Sequence, residues 1–253
     1  EGLPAAQLAA TLFDVPDGVV LRDDDGAVGV ATRGDVGWIT VVAVHPSAQR
    51  RGVARSLLES ALGWLRDAGT TEVRTGAAAP RYLWPGVDVD RHRAAIALFE
   101  SLGYEPVTTT HNQRCSTSHR AAPPDGVTVR RVGPADADDV LGFASASFPH
   151  WVDEVARSLP NGCCHAAFAD ADGAPIGFGC HSVNRAGWIG PMATDDAWRG
   201  RGVGSALLGA VCRDLALAEL DEAEIAWVGP DAFYEKAAGA VVSRRFAVLG
   251  RQL

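Results

Sequence analysis

The chain has 253 residues, 47% of them hydrophobic and 21% charged, a balance that excludes disordered and fibrous classes and leaves room for one large domain or two modest ones. A net charge of −8 argues against nucleic-acid binding, which relies on clustered Lys and Arg; the acidic surface serves solubility and mildly favours a cationic small molecule. No apolar run reaches the roughly 18 to 20 residues of a membrane helix, and no basic start followed by an apolar stretch opens the chain, so a cytoplasmic protein without membrane contact is expected.

The chain opens at Glu1 without a methionine, which points to a trimmed natural start. Alternating segments at Val19 to Arg22 and Ala27 to Thr32 flank Asp23-Asp24-Asp25-Gly26, a hairpin turn, and a third strand is predicted from Trp38 to Val44. A helix follows from Val53. Its apolar positions recur at Leu57, Leu58, Ala61, Leu62 and Leu65, one face at a 3.6-residue period, and Gly69 stops it. A strand near Val73 and a helix from Ala94 to Leu102 complete the first part. Ser116 to Gly126, rich in Ser, Ala and Pro, reads as a linker. The second part opens with a strand at Val127 to Val132; Pro134-Ala135-Asp136 then starts a helix, and more helix surrounds Trp151 to Leu159. Strands at His165 to Ala169 and Ile176 to His181 enclose the turn Asp170-Ala171-Asp172-Gly173, and a further strand spans Trp188 to Thr194.

Five cysteines, Cys115, Cys163, Cys164, Cys180 and Cys212, form no C-x-x-C pair and no zinc spacing, which fits a reducing compartment. Cys163-Cys164-His165 cannot jointly face one ion, because neighbours on a strand point to opposite faces. No metal is expected. Lys236 is the single lysine among many Arg, Ala, Gly and Val residues, as in a GC-rich bacterial genome.

Set against itself at an offset of 150, the sequence aligns Gly37-Trp38-Ile39 with Gly187-Trp188-Ile189, Arg51-Gly52-Val53 with Arg201-Gly202-Val203, and Leu57-Leu58 with Leu207-Leu208. A duplicated domain is the simplest reading. The expected domains are 1–115 and 127–253 around a linker at 116–126. The first copy lacks an opening strand and most of one helix, again pointing to truncation.

The chemistry lies in Gln49-Arg50-Arg51-Gly52-Val53-Ala54 and Arg199-Gly200-Arg201-Gly202-Val203-Gly204, followed by Ser205, each segment between a strand and an amphipathic helix. First-turn amides of a helix have no intrahelical partner, and the helix dipole adds partial positive charge there. Glycine lets the backbone come close to a diphosphate, which satisfies those donors.

These segments resemble the signature of the GNAT superfamily of acyl-CoA-dependent N-acyltransferases, Q/R-x-x-G-x-G/A after a central strand, and the resemblance covers nearly the whole chain as two units. It implies an α/β fold in which each domain has a central, mostly antiparallel sheet flanked by helices. It also implies acetyl-CoA as cofactor, with the pantetheine arm along Val42-Ala43-Val44 in the first copy and Met192-Ala193-Thr194 in the second, where Pro191 removes one backbone donor. Family members usually carry N-x-x-A-x-x-L-Y on the last helix, the Tyr hydroxyl protonating the departing thiolate. The first copy reads His92, Ala95, Leu98 and Phe99, so its acid is missing. The second reads Phe233-Tyr234, which makes Tyr234 the candidate acid, with a packing role as the alternative. Neither central strand holds the Glu that often serves as base; Asp195, Asp196 and His181 lie nearby in sequence.

An insertion at Pro80 to Asp90 brings Tyr82, Trp84 and Asp88, which could hold a cationic or sugar-like amine or could simply bury the aromatics. The resemblance implies N-acetyl transfer to a small-molecule amine by direct attack, in a monomer or a homodimer. Mycothiol-synthase-like acetylation of a thiol precursor is a sub-case, because tandem members with a catalytic C-terminal unit share the Tyr234 and Phe99 asymmetry. The alternative is a non-catalytic acyl-CoA-binding module.

Overall fold

A computed structural model describes residues 17–76 and 81–253, with the isolated positions 9, 13 and 15. Pro80 and nearly all of the segment expected to show truncation lie outside the described residues. The chain divides into two compact units, Glu1–His111 with Arg244–Leu253, and Asn112–Ser243.

In unit 1 the Asp23 carboxylate accepts from the amides of Asp25 and Gly26 at 2.8 and 2.7 Å. This fixes the turn between β1 (Gly18–Arg22) and β2 (Gly26–Arg33). β2 pairs antiparallel with β3 (Val36–Val44). Helix α1 (Val53–Asp67) then carries the chain back, so that β4 (Glu72–Thr75) lies parallel to β3. The face marked by periodicity, Leu57, Leu58, Ala61, Leu62 and Leu65, is buried against Val28, Val30, Ile39 and Val73. β5 (Val87–Asp88) and α2 (Arg93–Ser101) follow. The sheet order is β1-β2-β3-β4-β12, where β12 (Val241–Gln252) is the last strand of the chain. Its Ala247 and Leu249 belong to the unit 1 core, and the Leu249 amide donates to Thr75 Oγ1 at 3.0 Å.

Unit 2 begins inside β6 (Glu105–Ser116), whose residues from Gln113 to Ser116 pair antiparallel with β11 (Glu222–Ile225). The order is β6-β11-β10-β9-β8-β7, with β7 (Val127–Arg131), β8 (Cys164–Ala169), β9 (Pro175–His181) and β10 (Trp188–Thr194). The unit also contains α3 (Ala137–Ser147), α4 (Val152–Ser158), α5 (Val203–Leu217) and α6 (Asp231–Ala238). Helix α5 links the parallel pair β10 and β11, as α1 links β3 and β4. Each sheet is therefore mixed, with one parallel pair among antiparallel ones. No helix among the described residues is long and apolar enough to cross a membrane.

The contiguous division at 1–115 and 127–253 differs from these units in one respect: each copy's final long strand lies partly in the other unit. Both unit boundaries fall inside strands, β6 and β12, rather than in the Pro-rich segment. The alternation expected around Cys164 holds: its Sγ lies 3.4 Å from that of Cys180 on the facing strand, while His165 turns to Asp214 of α5 at 2.8 Å.

Candidate functional site

In both units the central strand outruns its parallel neighbour. β3 pairs with β4 only over Val36–Ile39, and β10 pairs with β11 only over Trp188 and Ile189. Beyond those points Val42-Ala43-Val44 and Met192-Ala193-Thr194 have ladder partners on one side only, β2 and β9. Each central strand is bulged just before this stretch, opposite Gly29 and Val30 in unit 1 and at Gly190 and Pro191 in unit 2. An extended acceptor-donor chain can pair along the open side as an added strand.

A 3-10 turn follows each strand, Pro46–Ala48 capped by His45 and Asp196–Trp198 capped by Asp195. The side chain at the first motif position then reaches back to the strand end. Gln49 Nε2 donates to the Val44 carbonyl at 3.3 Å, and Arg199 Nε to that of Thr194 at 3.4 Å. Two left-handed residues next bend the chain into the helix. These are Arg50 and Gly52, with φ of 64° and 88°, and Gly200 and Gly202, with φ of 76° and 93°. A β-carbon on Gly52 or Gly202 would meet nothing within 4 Å. Glycine is therefore favoured there by the backbone angle, and the open space beside it is compatible with the close approach of a diphosphate. Neither helix has a side-chain cap, so the amides of residues 53–55 and 203–205 remain available beside the positive end of the dipole. Such a run of amides forms an anion-binding concavity.

These cradles open into one cavity in each unit. That of unit 2, about 870 Å³, is lined by Met192, Ala193, Thr194, Arg199, Gly200, Gly202, Gly204, Ser205 and Tyr234 among the expected residues. Arg201 and Val203 are not in its wall: Arg201 lies over the Trp198 ring at 5.1 Å, and Val203 is buried in the core. The cavity of unit 1, about 440 Å³, is lined by Val42, Val44, Gln49, Arg50, Gly52, Val53 and Ala54. Ala43, Arg51 and His92 stand outside that lining, His92 as the residue before α2.

Tyr234 and Phe99 occupy matching places, each on the last helix of its copy and each facing the cavity. Tyr234 is 6% exposed and packs edge-on to Phe233 with ring centroids 4.8 Å apart. Burial, with the Cys115 thiol nearby, pushes its phenol well above the ordinary range, so the hydroxyl stays protonated. Its oxygen takes no hydrogen-bond partner among the described residues, which leaves the proton free for a bound group.

Tyr82, Trp84 and Asp88 line neither cavity. Tyr82 is buried, and Trp84 stacks on Phe246 at 5.9 Å beneath the Arg244 guanidinium at 4.2 Å. Asp88 Oδ1 caps the turn into α2, accepting from the amides of Asp90 and Arg91 at 3.0 and 2.9 Å. The residues near the second motif are similarly engaged: Asp195 accepts from the Ala197 amide at 2.9 Å, Asp196 pairs with Arg199 at 2.8 Å, and His181 bonds Asp214 at 3.2 Å.

Sequence reasoning missed the aromatic wall of the larger cavity, Phe148, Trp151, Trp198 and Phe233, and the exposed Lys236 at its edge. Phe233, Lys236 and Ala237 stand at i, i+3 and i+4 on one face of α6, a spacing that would have marked them beside Tyr234.

Two family models match the chain, the acetyltransferase (GNAT) domain over residues 16–106 and the acetyltransferase (GNAT) family over residues 131–240. Among curated relatives, a mycothiol acetyltransferase of a Nocardioides species is 30% identical over 66% of this chain and 63% of its own length. One of Clavibacter michiganensis subsp. michiganensis is 29% identical over 84% of this chain and 72% of its own. The chain thus spans less than two thirds of the Nocardioides protein. Among solved structures, the glucosamine N-acetyltransferase region of a fungal multi-domain beta-N-acetylglucosaminidase superposes with a TM-score of 0.82 at 20% identity, over 98% of this chain and 35% of that one. A tandem GNAT protein from the clavulanic acid biosynthesis pathway gives 0.71 at 18%, over 99% and 90%. At such identities these structures speak for the fold alone. With one GNAT model matched in each half and the same strand, cradle and helix arrangement in both units, the chain belongs to the GNAT acetyltransferase family as a tandem of two such domains.

Proposed function

We propose that unit 2 transfers an acetyl group from acetyl-CoA to the amine of a small molecule, in the cytoplasm of a bacterium. The observation that carries this reading is the convergence, on one cavity, of an open strand edge, an uncapped helix N-terminus and the protonated Tyr234 hydroxyl. These residues fit the coenzyme chemically. The amides of residues 203–205 would hold its diphosphate, and the free side of Met192 to Thr194 its pantetheine amides.

When bound, acetyl-CoA supplies an activated thioester. The chain's own part is to polarise and to protonate. A free amide of β10 points positive charge at the carbonyl oxygen as the amine forms its new C–N bond. Tyr234 gives its proton to the sulfur as the C–S bond breaks. The lining of the cavity holds no carboxylate or histidine among the described residues, so the proton of the attacking amine passes to water.

The relatives named mycothiol acetyltransferase support a mycothiol precursor as the first acceptor to test, ahead of amino sugars and other small amines. For unit 1 a second reading is favoured by Phe99, which cannot donate a proton: a non-catalytic coenzyme-binding domain. Thiol release from acetyl-CoA, followed across a panel containing these amines, tests the proposal. Turnover with at least one of them is expected. Coenzyme binding without thiol release for any amine would replace catalysis by the non-catalytic reading for the whole chain.

A further inference from the structure

The segment Ser116 to Gly126 is bound along its first half to unit 2. The Thr117 amide donates to the Asp221 carbonyl at 3.0 Å, and its hydroxyl to that of Leu220 at 2.6 Å. Arg120 folds back onto the carbonyls of Thr117 and His119, both at 2.7 Å. Further on, the backbone lies so close to α5 that a β-carbon on Gly209 would stand 2.9 Å from the Ala121 nitrogen. The segment is a strap across the helix, and one side chain on it reaches the helix's first turn. His119 Nε2 lies 3.1 Å from the Ser205 carbonyl oxygen and 3.2 Å from Ser205 Oγ.

The carbonyl can only accept, so Nε2 carries the proton and donates. The same N–H also faces Oγ, which it engages through a lone pair. A hydroxyl whose lone pair is taken keeps its own proton to give elsewhere, and Ser205 lines the cavity at the third residue of α5. A diphosphate offers acceptors only. We infer that His119 is a positioning residue that holds the Ser205 hydroxyl as a donor to the coenzyme's diphosphate, making the strap a part of the coenzyme site. This rests on the proposal that unit 2 binds coenzyme A. The matching residue of unit 1 is Arg55, which lines that unit's cavity and donates to Ser101 Oγ at 2.6 Å in place of a histidine-held hydroxyl.

The test is calorimetric binding of coenzyme A in a Gly52→Asp background, which removes the unit 1 cradle from the measurement. His119→Ala and Ser205→Ala should each raise Kd by about 10- to 15-fold, the worth of one hydrogen bond to a charged acceptor at the weak end of its range. The double variant should be no weaker than the worse single one, because both remove the same bond. His119→Gln, which restores an N–H donor, should recover part of the loss. The preference for acetyl-CoA over acetyl-pantetheine, which lacks the diphosphate, should fall by the same factor in kcat/KM. An unchanged Kd in His119→Ala, losses that multiply in the double variant, or equal losses for both donors would overturn the role of His119. If the Gly52→Asp chain binds no coenzyme A while carrying its full fold, the site reading itself fails, and this inference with it.

Discussion

A β-carbon on Gly204 would stand 3.3 Å from Cζ of Phe233, so the first turn of α5 and the last helix of its copy meet closely enough that a methyl group there would press on the ring. At the matching positions of unit 1, Ala54 and Leu98 line the smaller cavity together. A glycine with a large ring and an alanine with a smaller side chain are two solutions to one packing problem. Gly204→Ala alone gains helix propensity but overpacks against Phe233. In a Phe233→Leu background the same change should be more favourable by about 1 kcal/mol, a coupling measurable by urea unfolding of the four proteins. Additive effects would show that the contact is soft.

The two cradles invite a paired test. Gly202→Asp forces an L-residue to a φ of 93° and sets a negative charge where a diphosphate would lie. We expect turnover to be lost while the fold persists. Saturating coenzyme A, which at about 100 times Kd adds roughly 2.7 kcal/mol of stability, should then protect this variant less than the unaltered chain. Gly202→Asn, which tolerates the left-handed region and carries no charge, should retain more binding. Gly52→Asp should leave turnover largely intact if Phe99 marks a unit without an acid. Loss of turnover in a folded Gly52→Asp protein would move catalysis to unit 1.

Because β12 closes the sheet of unit 1, cutting the chain in the Pro-rich segment should not yield two folded halves. A fragment ending at residue 120 loses Ala247 and Leu249 from its core and leaves Thr75 Oγ1 without the Leu249 amide. It should show weak, non-cooperative unfolding by circular dichroism, and mixing it with the remaining fragment should restore a cooperative transition. A fragment that melts cooperatively alone would contradict the shared-strand arrangement.

Periodicity and turn chemistry marked β1 to β3, α1 and the hairpins, because each has a one-sided apolar pattern bounded by Gly or Asp. The cradles were legible for a related reason: a helix start without a cap side chain, preceded by glycine, is a local pattern. The exchanged strands were not. β6 runs Glu105-Pro106-Val107-Thr108-Thr109-Thr110 with its first five residues exposed, so no alternation announces it, and its pairing with β11 spans about a hundred residues of chain. The aromatic wall formed by Phe148 and Trp151 escaped for the same reason: a cavity assembled from distant segments leaves no spacing to read. For Tyr82, Trp84 and Asp88 the loop sequence left ligand contact and burial both open, because composition does not tell the two apart; packing engages the aromatics and capping engages Asp88.

Asp214 holds a buried polar cluster between α5 and the sheet, accepting from His165, His181 and, at 2.8 Å, Arg131. Burial pushes the Asp214 carboxyl up, but the histidines and Arg131 outweigh it and hold it below its ordinary value. Burial lowers His181, and the opposing pull of Asp214 does not cancel that. A histidine with a depressed folded pKa stabilises fully above its unfolded value, about 6.5, and loses that stability as pH falls through the folded value. The depressed carboxylate acts likewise in its own range, below about 4. The thermal midpoint should therefore fall between pH 7.5 and pH 5.5, with a further fall in stronger acid. His181→Gln should flatten the upper part of that profile. An equally steep profile in this variant would assign the loss to other groups.

Tyr234→Phe should lower turnover without weakening coenzyme A binding, because the hydroxyl acts mainly as negative charge develops on the departing sulfur. General acids contribute about 10² to 10⁴-fold. A thiolate is already a fair leaving group near neutral pH, so the expected loss in kcat lies at or below the low end of that range. The substitution removes one oxygen and leaves the ring against Phe233, so thermal unfolding should barely change. The raised phenol adds a second reading of the same residue: burial keeps it protonated, so kcat should show no alkaline decline near pH 10, where an ordinary tyrosine would lose its proton. The measurement is kcat against pH for both proteins, under conditions where chemistry limits the rate. Equal kcat in the two across the range would return Tyr234 to a packing role, like that of Phe99, and leave protonation of the sulfur to water.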